Sequence, residues 1–114
     1  MKLELNGIDV ECIIGERPDE RTKAQRLRVD VVLTIGDRAS ETDDLTDTVD
    51  YATLAERIRA ALVAAECRMI ERAARVVADL CLEDPKVSSA KVRVVKGGAI
   101  PHLEAAAAVI EAVK

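Results

Sequence analysis

The stretch Pro101–Lys114, "PHLEAAAAVIEAVK", decides which fold the chain adopts, because it supports two readings. Four consecutive alanines, Glu104, Glu111 and a leading proline favour a helix on intrinsic propensity. Alanine loses no side-chain entropy there, and proline fits the first turn. Only Val109, Ile110 and Val113 speak for a strand. Local physics therefore predicts a helix over this stretch.

The preceding segment, "SAKVRVVK" (Ser89–Lys96), alternates with the period of a strand. Ala90, Val92, Val94 and Lys96 point one way. This parity puts the Lys96 ammonium on the buried side, at the strand's end, where desolvation would suit it to acid–base chemistry. The ordinary alternative is a frayed end with the side chain snorkelling to water, and on the residues alone that outcome leads. Gly97-Gly98 follows and lets the backbone turn, but no helix start comes after it at the spacing of a phosphate nest.

Further out, "RLRVDVVLTI" (Arg26–Ile35) is the clearest strand. Leu27, Val29, Val31, Leu33 and Ile35 share a face opposite Arg26, Arg28, Asp30, Val32 and Thr34. The N-terminal segment alternates too, with Leu3 and Leu5, then Ile8, Val10, Cys12 and Ile14. Its phase slips at Asn6-Gly7, which predicts a bulge. Between these strands lies the charged loop "GERPDERTKAQ", Gly15–Gln25. Nothing internal to that charge run singles out Glu20.

Two helices occupy the middle of the chain. "DYATLAERIRAALVAAE" (Asp50–Glu66) places Tyr51, Leu54, Ile58, Leu62 and Ala65 on one stripe, with Asp50 as N-cap. "MIERAARVVADLCL" (Met69–Leu82) turns Ile70, Ala73, Val77 and Leu80 inward, and Asp84-Pro85 ends it. Glu71, in its first turn, is favoured by the helix dipole and can pair with Arg75. The order β-β-α-α-β indicates an α+β domain, with helices on one face of an antiparallel sheet.

With 114 residues, 49 % apolar and 33 % charged, the chain is most simply one domain, residues 1–114. Its net charge of −4 and scattered basic residues exclude nucleic-acid binding by stacking. No apolar run approaches a membrane span, and the N-terminus lacks a signal-peptide core. Cys12, Cys67 and Cys81 form no paired motif, so a reduced cytoplasmic protein is expected. His102 is the single histidine, which excludes a His-cluster zinc site. Tyr51 is the single aromatic residue, and a phenol is either packing or a weak acid.

Four stretches in order resemble the dihydroneopterin aldolase family. "IIGERPDERTKAQ" is similar to that family's Gly, Glu, Gln spacing at Gly15, Glu20 and Gln25. "TDTVDYATL" looks like the segment around its tyrosine, "MIERAA" like the opening of its second helix, and "VRVVKGGAIPHLEAAAAVIE" like its lysine-bearing strand and final strand. The resemblance covers essentially the whole chain. It implies the tunnelling fold, β-β-α-α-β-β, and so a strand over roughly 104–113 in place of the helix. It further implies four such sheets joined edge to edge in a barrel and two rings stacked in a homo-octamer.

The implied activity is retro-aldol cleavage of 7,8-dihydroneopterin in folate synthesis. No metal and no other cofactor is implied, since the dihydropterin carries its own electron sink. By the same resemblance Lys96, Tyr51 and Glu20 would be catalytic. Glu71 would grip the pterin edge, Ile70 and Val49 would pack on the ring, and Tyr51 would come from a neighbouring subunit. Gly97 stands where the family usually has Pro. A sister enzyme, dihydroneopterin triphosphate 2′-epimerase, also lacks that Pro, so epimerisation is the alternative activity. A non-catalytic pterin-binding ring is the third.

Overall fold

A computed structural model describes residues 1–114. In chain order the elements are β1 (Lys2–Cys12), β2 (Gln25–Ile35), a short helix α1 (Arg38–Thr42), α2 (Tyr51–Ala65), α3 (Ile70–Leu82), β3 (Val87–Gly97) and β4 (Ala105–Val113). The strands lie side by side as β1-β2-β3-β4, every pair antiparallel. α2 packs on β1 and α3 on β3 and β4. This is the β-β-α-α-β-β arrangement of the tunnelling fold, with α1 a single extra turn after β2.

The final segment is a strand, against the local helix preference. Lys96, Val94, Val92 and Ala90 of β3 pair with Ala106, Ala108, Ile110 and Ala112. Those four side chains face inward, and Ala107, Val109, Glu111 and Val113 face out. Propensity differences of about 0.7 kcal/mol per residue at most are overridden by a nine-residue ladder and by burial against α3. Alanine suits this contact, because α3 presents Ala73, Ala74 and Ala78 to the core.

The phase slip in β1 is a bulge. Leu5 pairs with Val31 and Ile8 with Val29, so two residues of β1 oppose Asp30 alone. Gly7 takes φ +77° there, a conformation that L side chains rarely adopt, and its N–H donates to Asp30 Oδ1 at 2.7 Å.

The core is aliphatic: Leu27, Val29, Val31 and Leu33 of β2, Val92 and Val94 of β3, and Ile58, Leu62 and Val77 of the helices are all fully buried. The helical stripes differ in detail from expectation. In α2 only Leu54, Ile58 and Leu62 are buried; Tyr51 is 60 % exposed and Ala65 is exposed, because nothing in the chain covers either end of that face. In α3 the buried side is Ala73, Ala74, Val77, Ala78 and Cys81, with Ile70 and Leu80 half-buried at its borders. Asp50 caps α2 as expected, its carboxylate accepting from the Thr53 N–H at 3.2 Å. No helix is long and apolar enough to cross a membrane. β1 and β4 each have one strand partner, so the sheet has two free edges.

Candidate active site

Lys96 is buried at 8 % exposure, as strand parity requires, and does not snorkel. The reason lies 76 residues away: the ammonium donates to Glu20 Oε2, and Glu20 is itself only 9 % exposed. An ammonium in a nonpolar setting needs such a partner.

Glu20 arrives from a single 3-10 turn, Pro18–Arg21, in the loop between β1 and β2. Gly15 makes the approach possible. Its φ is +125°, and a Cβ there would lie 2.4 Å from the Glu20 carboxyl carbon. The Arg17 N–H donates to Glu20 Oε1 at 3.3 Å, and the Arg17 guanidinium lies 3.6 Å from the same oxygen. Gln25 donates its amide to Ile14 O at 2.6 Å and reaches Glu20 Oε2 at 3.5 Å. Both carboxylate oxygens are therefore engaged.

Chiefly through the Lys96 hydrogen bond, with the Arg17 N–H and the charges of Lys96 and Arg17 adding to it against desolvation, the Glu20 carboxyl is lowered from 4.5 to about 2. The sign follows from linkage. A depressed folded-state value gives a contribution that is complete above about pH 4.5 and is lost as pH falls toward about 2. Acid-unfolding curves should therefore depend less on pH in this window for Glu20→Gln than for the unaltered protein. Parallel curves would mean that Glu20 titrates as it does unfolded.

The loop bearing Glu20 is tied to the α2–α3 connection. Arg21 Nη1 donates to Gly15 O and Cys67 O, both at 3.1 Å, and Nη2 to Glu66 O at 2.7 Å. The Gly15 N–H donates to Cys67 O at 3.2 Å. α3 begins three residues beyond Cys67, so its first turn, with Ile70 and Glu71, stands at the same end of the sheet as Glu20 and Lys96. Glu71 is exposed and unpaired. The expected Glu71–Arg75 pair does not form; Arg75 lies 3.6 Å from Asp79, its other neighbour one turn away.

Tyr51 and Val49 belong to the opposite end. Arg21 holds the C-terminus of α2 beside the Glu20 loop, and Tyr51 opens that helix, ~22 Å of axial rise away. Val49, just before it, is buried in its own chain's core. One chain thus brings together Glu20, Lys96, Ile70 and Glu71, and leaves Tyr51 and Val49 apart from them. The cavity beside Glu20, lined by Arg17, Asp19, Glu20, Lys23 and Gln25, holds about 170 Å³. A larger one, about 540 Å³, lies between β1 and α2, lined by residues such as Asp9, Glu11 and Arg59, and includes none of these groups. Arg17 and Arg21 went unmarked in the sequence because nothing in their charge run distinguishes them from Arg26 or Lys23.

A family profile described as dihydroneopterin aldolase matches residues 3–112. The chain belongs to the dihydroneopterin aldolase family. The dihydroneopterin aldolase of Streptomyces coelicolor is 32 % identical over 96 residues, which are 83 % of this chain and 81 % of that protein. The Escherichia coli dihydroneopterin aldolase, solved in complex with neopterin, superposes with a TM-score of 0.92 at 26 % identity, over 98 % of each chain. A second dihydroneopterin aldolase structure, from Burkholderia thailendensis, shares the fold at a TM-score of 0.84 and 21 % identity, covering all of this chain and 91 % of that one. The family is one of lyases, and this chain is an enzyme of it.

Proposed function

We propose that the enzyme cleaves 7,8-dihydroneopterin into 6-hydroxymethyl-7,8-dihydropterin and glycolaldehyde, with neither a metal ion nor a lysine imine. The observation that carries this reading is the buried Lys96–Glu20 pair beside the first turn of α3, in a chain that superposes on a relative solved with neopterin.

The substrate's side-chain hydroxyl next to the breaking bond loses its proton. As that oxygen becomes the aldehyde of glycolaldehyde, the carbon–carbon bond pair forms a double bond to the ring carbon, and the ring's C=N pair takes up a proton at N5. The resulting enol is then protonated on carbon as N5 gives its proton up. The protein has only to bind the ring and move these protons. Glu71, free of any partner in the chain, would accept two parallel hydrogen bonds from the pterin's N3–H and 2-amino group. Lys96, oriented by Glu20, would serve N5 and the hydroxyl through water. Ile70 would pack on the ring. From a neighbouring copy, Val49, whose side chain is buried in its own core, would offer backbone groups, and the Tyr51 phenol would hand protons to the enol and product.

Tyr51 reaches such a site only from another copy of the chain. The ~22 Å of helix between it and the Glu20 end supports this. So does the cavity of about 170 Å³, small against the roughly 300 Å³ at which ligand pockets start. The free edges of β1 and β4 offer the means, four sheets closing edge to edge into a barrel and two rings making an octamer. The three free, buried cysteines accord with a reducing cytoplasm.

Gly97, in place of the family's usual Pro, favours a second reading, the 2′-epimerisation of dihydroneopterin triphosphate. Incubation with dihydroneopterin in a strong chelator separates the readings. Cleavage yields glycolaldehyde, epimerisation yields a changed side-chain stereoisomer, and a binding module yields neither. Tyr51→Phe should keep product affinity within about twofold and lower the cleavage rate by 10²-fold or more, the scale of one general acid–base group. Unchanged turnover would return Tyr51 to a surface residue, and loss of activity in chelator, restored by zinc, would overturn the metal-free mechanism.

A further inference from the structure

We infer that Arg21 is a positioning residue for the pterin site, its guanidinium fixing the first turn of α3, and with it Glu71, relative to the Glu20–Lys96 pair. The inference rests on the pterin reading above.

Glu71 and Lys96 would grip the substrate at two separate places, so the spacing between them governs both affinity and rate. They come from elements far apart in sequence, a helix start at residue 70 and a strand end at residue 97. Lys96 is fixed to Glu20, whose carboxylate lies against Gly15. Arg21 spans the remaining gap: one planar group donates to Gly15 O on the Glu20 side and to Glu66 O and Cys67 O in the short connection that leads from the end of α2 into α3. A guanidinium offers several donors in a rigid fork, whereas a lysine ammonium is a point charge on a flexible stem.

Arg21 also meets a need of α2. That helix ends at Glu66 in the left-handed conformation, φ +46°, where terminal carbonyls lack partners and a cation is favoured. A purely structural role as a C-terminal cap is thus the competing account. Two other ties join the same segments, the Gly15–Cys67 backbone bond and the ion pair of Arg68 with Glu16, exposed on both sides. They keep the fold together without Arg21, but one backbone bond and one solvent-exposed ion pair let the segments pivot where a three-point clamp does not.

The test compares Arg21→Ala and Arg21→Lys with the unaltered enzyme in binding of 6-hydroxymethyl-7,8-dihydropterin, in KM and kcat, and in hydrogen exchange of the amides of residues 70–73. Arg21→Ala should weaken product binding by about tenfold and raise KM with it, in line with the cost of sub-ångström misplacement. Arg21→Lys should fall between, and millimolar guanidinium should restore part of the lost affinity to Arg21→Ala where methylammonium does not. Exchange in the first turn of α3 should quicken in Arg21→Ala. A folded variant with unchanged product affinity, or one whose active fraction falls at constant KM, overturns the inference in favour of a helix cap. Should the unaltered protein bind no pterin, the pterin reading fails, and exchange decides about Arg21 alone: unchanged protection at residues 70–73 overturns the clamp.

Discussion

Glu71→Ala is expected to lose pterin affinity by tens- to thousands-fold and keep its fold. Both halves follow from where the side chain sits. Glu71 is exposed, accepts no hydrogen bond and pairs with no cation in its own chain. Its removal costs folding only a helix-dipole contribution of about 0.3–1 kcal/mol. Truncating a charge-assisted, desolvated pair in a complex costs roughly 2–5 kcal/mol, and each 1.4 kcal/mol is about tenfold in Kd. Titration of the variant with the pterin product, beside a thermal melt, reads both. Affinity equal to that of the unaltered enzyme would reduce Glu71 to a residue that favours its helix dipole.

Mixed assemblies of two inactive variants should regain activity, and this is the second large effect. Tyr51→Phe lacks the phenol; Lys96→Gln lacks the ammonium and keeps an amide that can still donate to Glu20. Neither parent should turn over at more than a small fraction of the normal rate, since removing one general acid–base group costs about 10²–10⁴-fold. If each site takes Tyr51 from one chain and Lys96 from its neighbour, equal random mixing gives an intact pair at about a quarter of the interfaces. Dissociating, mixing and reassembling the two should bring activity toward that fraction, far above the sum of the parents. Mixed rings verified by mass that stay inactive would mean that Tyr51 serves no neighbour's site. The separation of Tyr51 from the Glu20 end by ~22 Å of helix is what makes the outcome decisive.

The strands β1, β2 and β3 were legible because each carries a period-2 pattern with one apolar face, and the Asn6-Gly7 slip marked the bulge. β4 was not. Its alanines carry almost no hydrophobic signal of their own, and the ladder with Val92 and Val94 that makes them a strand belongs to another element. Only the family resemblance supplied it. Lys96 shows the same division: parity put it on the buried side, but whether it stayed there depended on Glu20, which lies in a charge run without internal contrast. Tyr51 is the converse case. Helical spacing drew it into the stripe of Leu54 and Ile58, and its 60 % exposure shows that nothing in its own chain fills the place opposite.

The solitary, exposed Tyr51 gives the enzyme a particular photophysics. Without tryptophan, no indole drains or masks the emission of a phenol, so all the intrinsic ultraviolet fluorescence of the chain comes from one ring. That ring starts α2 and lies largely in solvent in the single chain. Its intensity, anisotropy and quenching by iodide therefore report on one location and nothing else. Enclosure by a neighbouring subunit, or a pterin chromophore close enough to accept its excitation, would register there without any label.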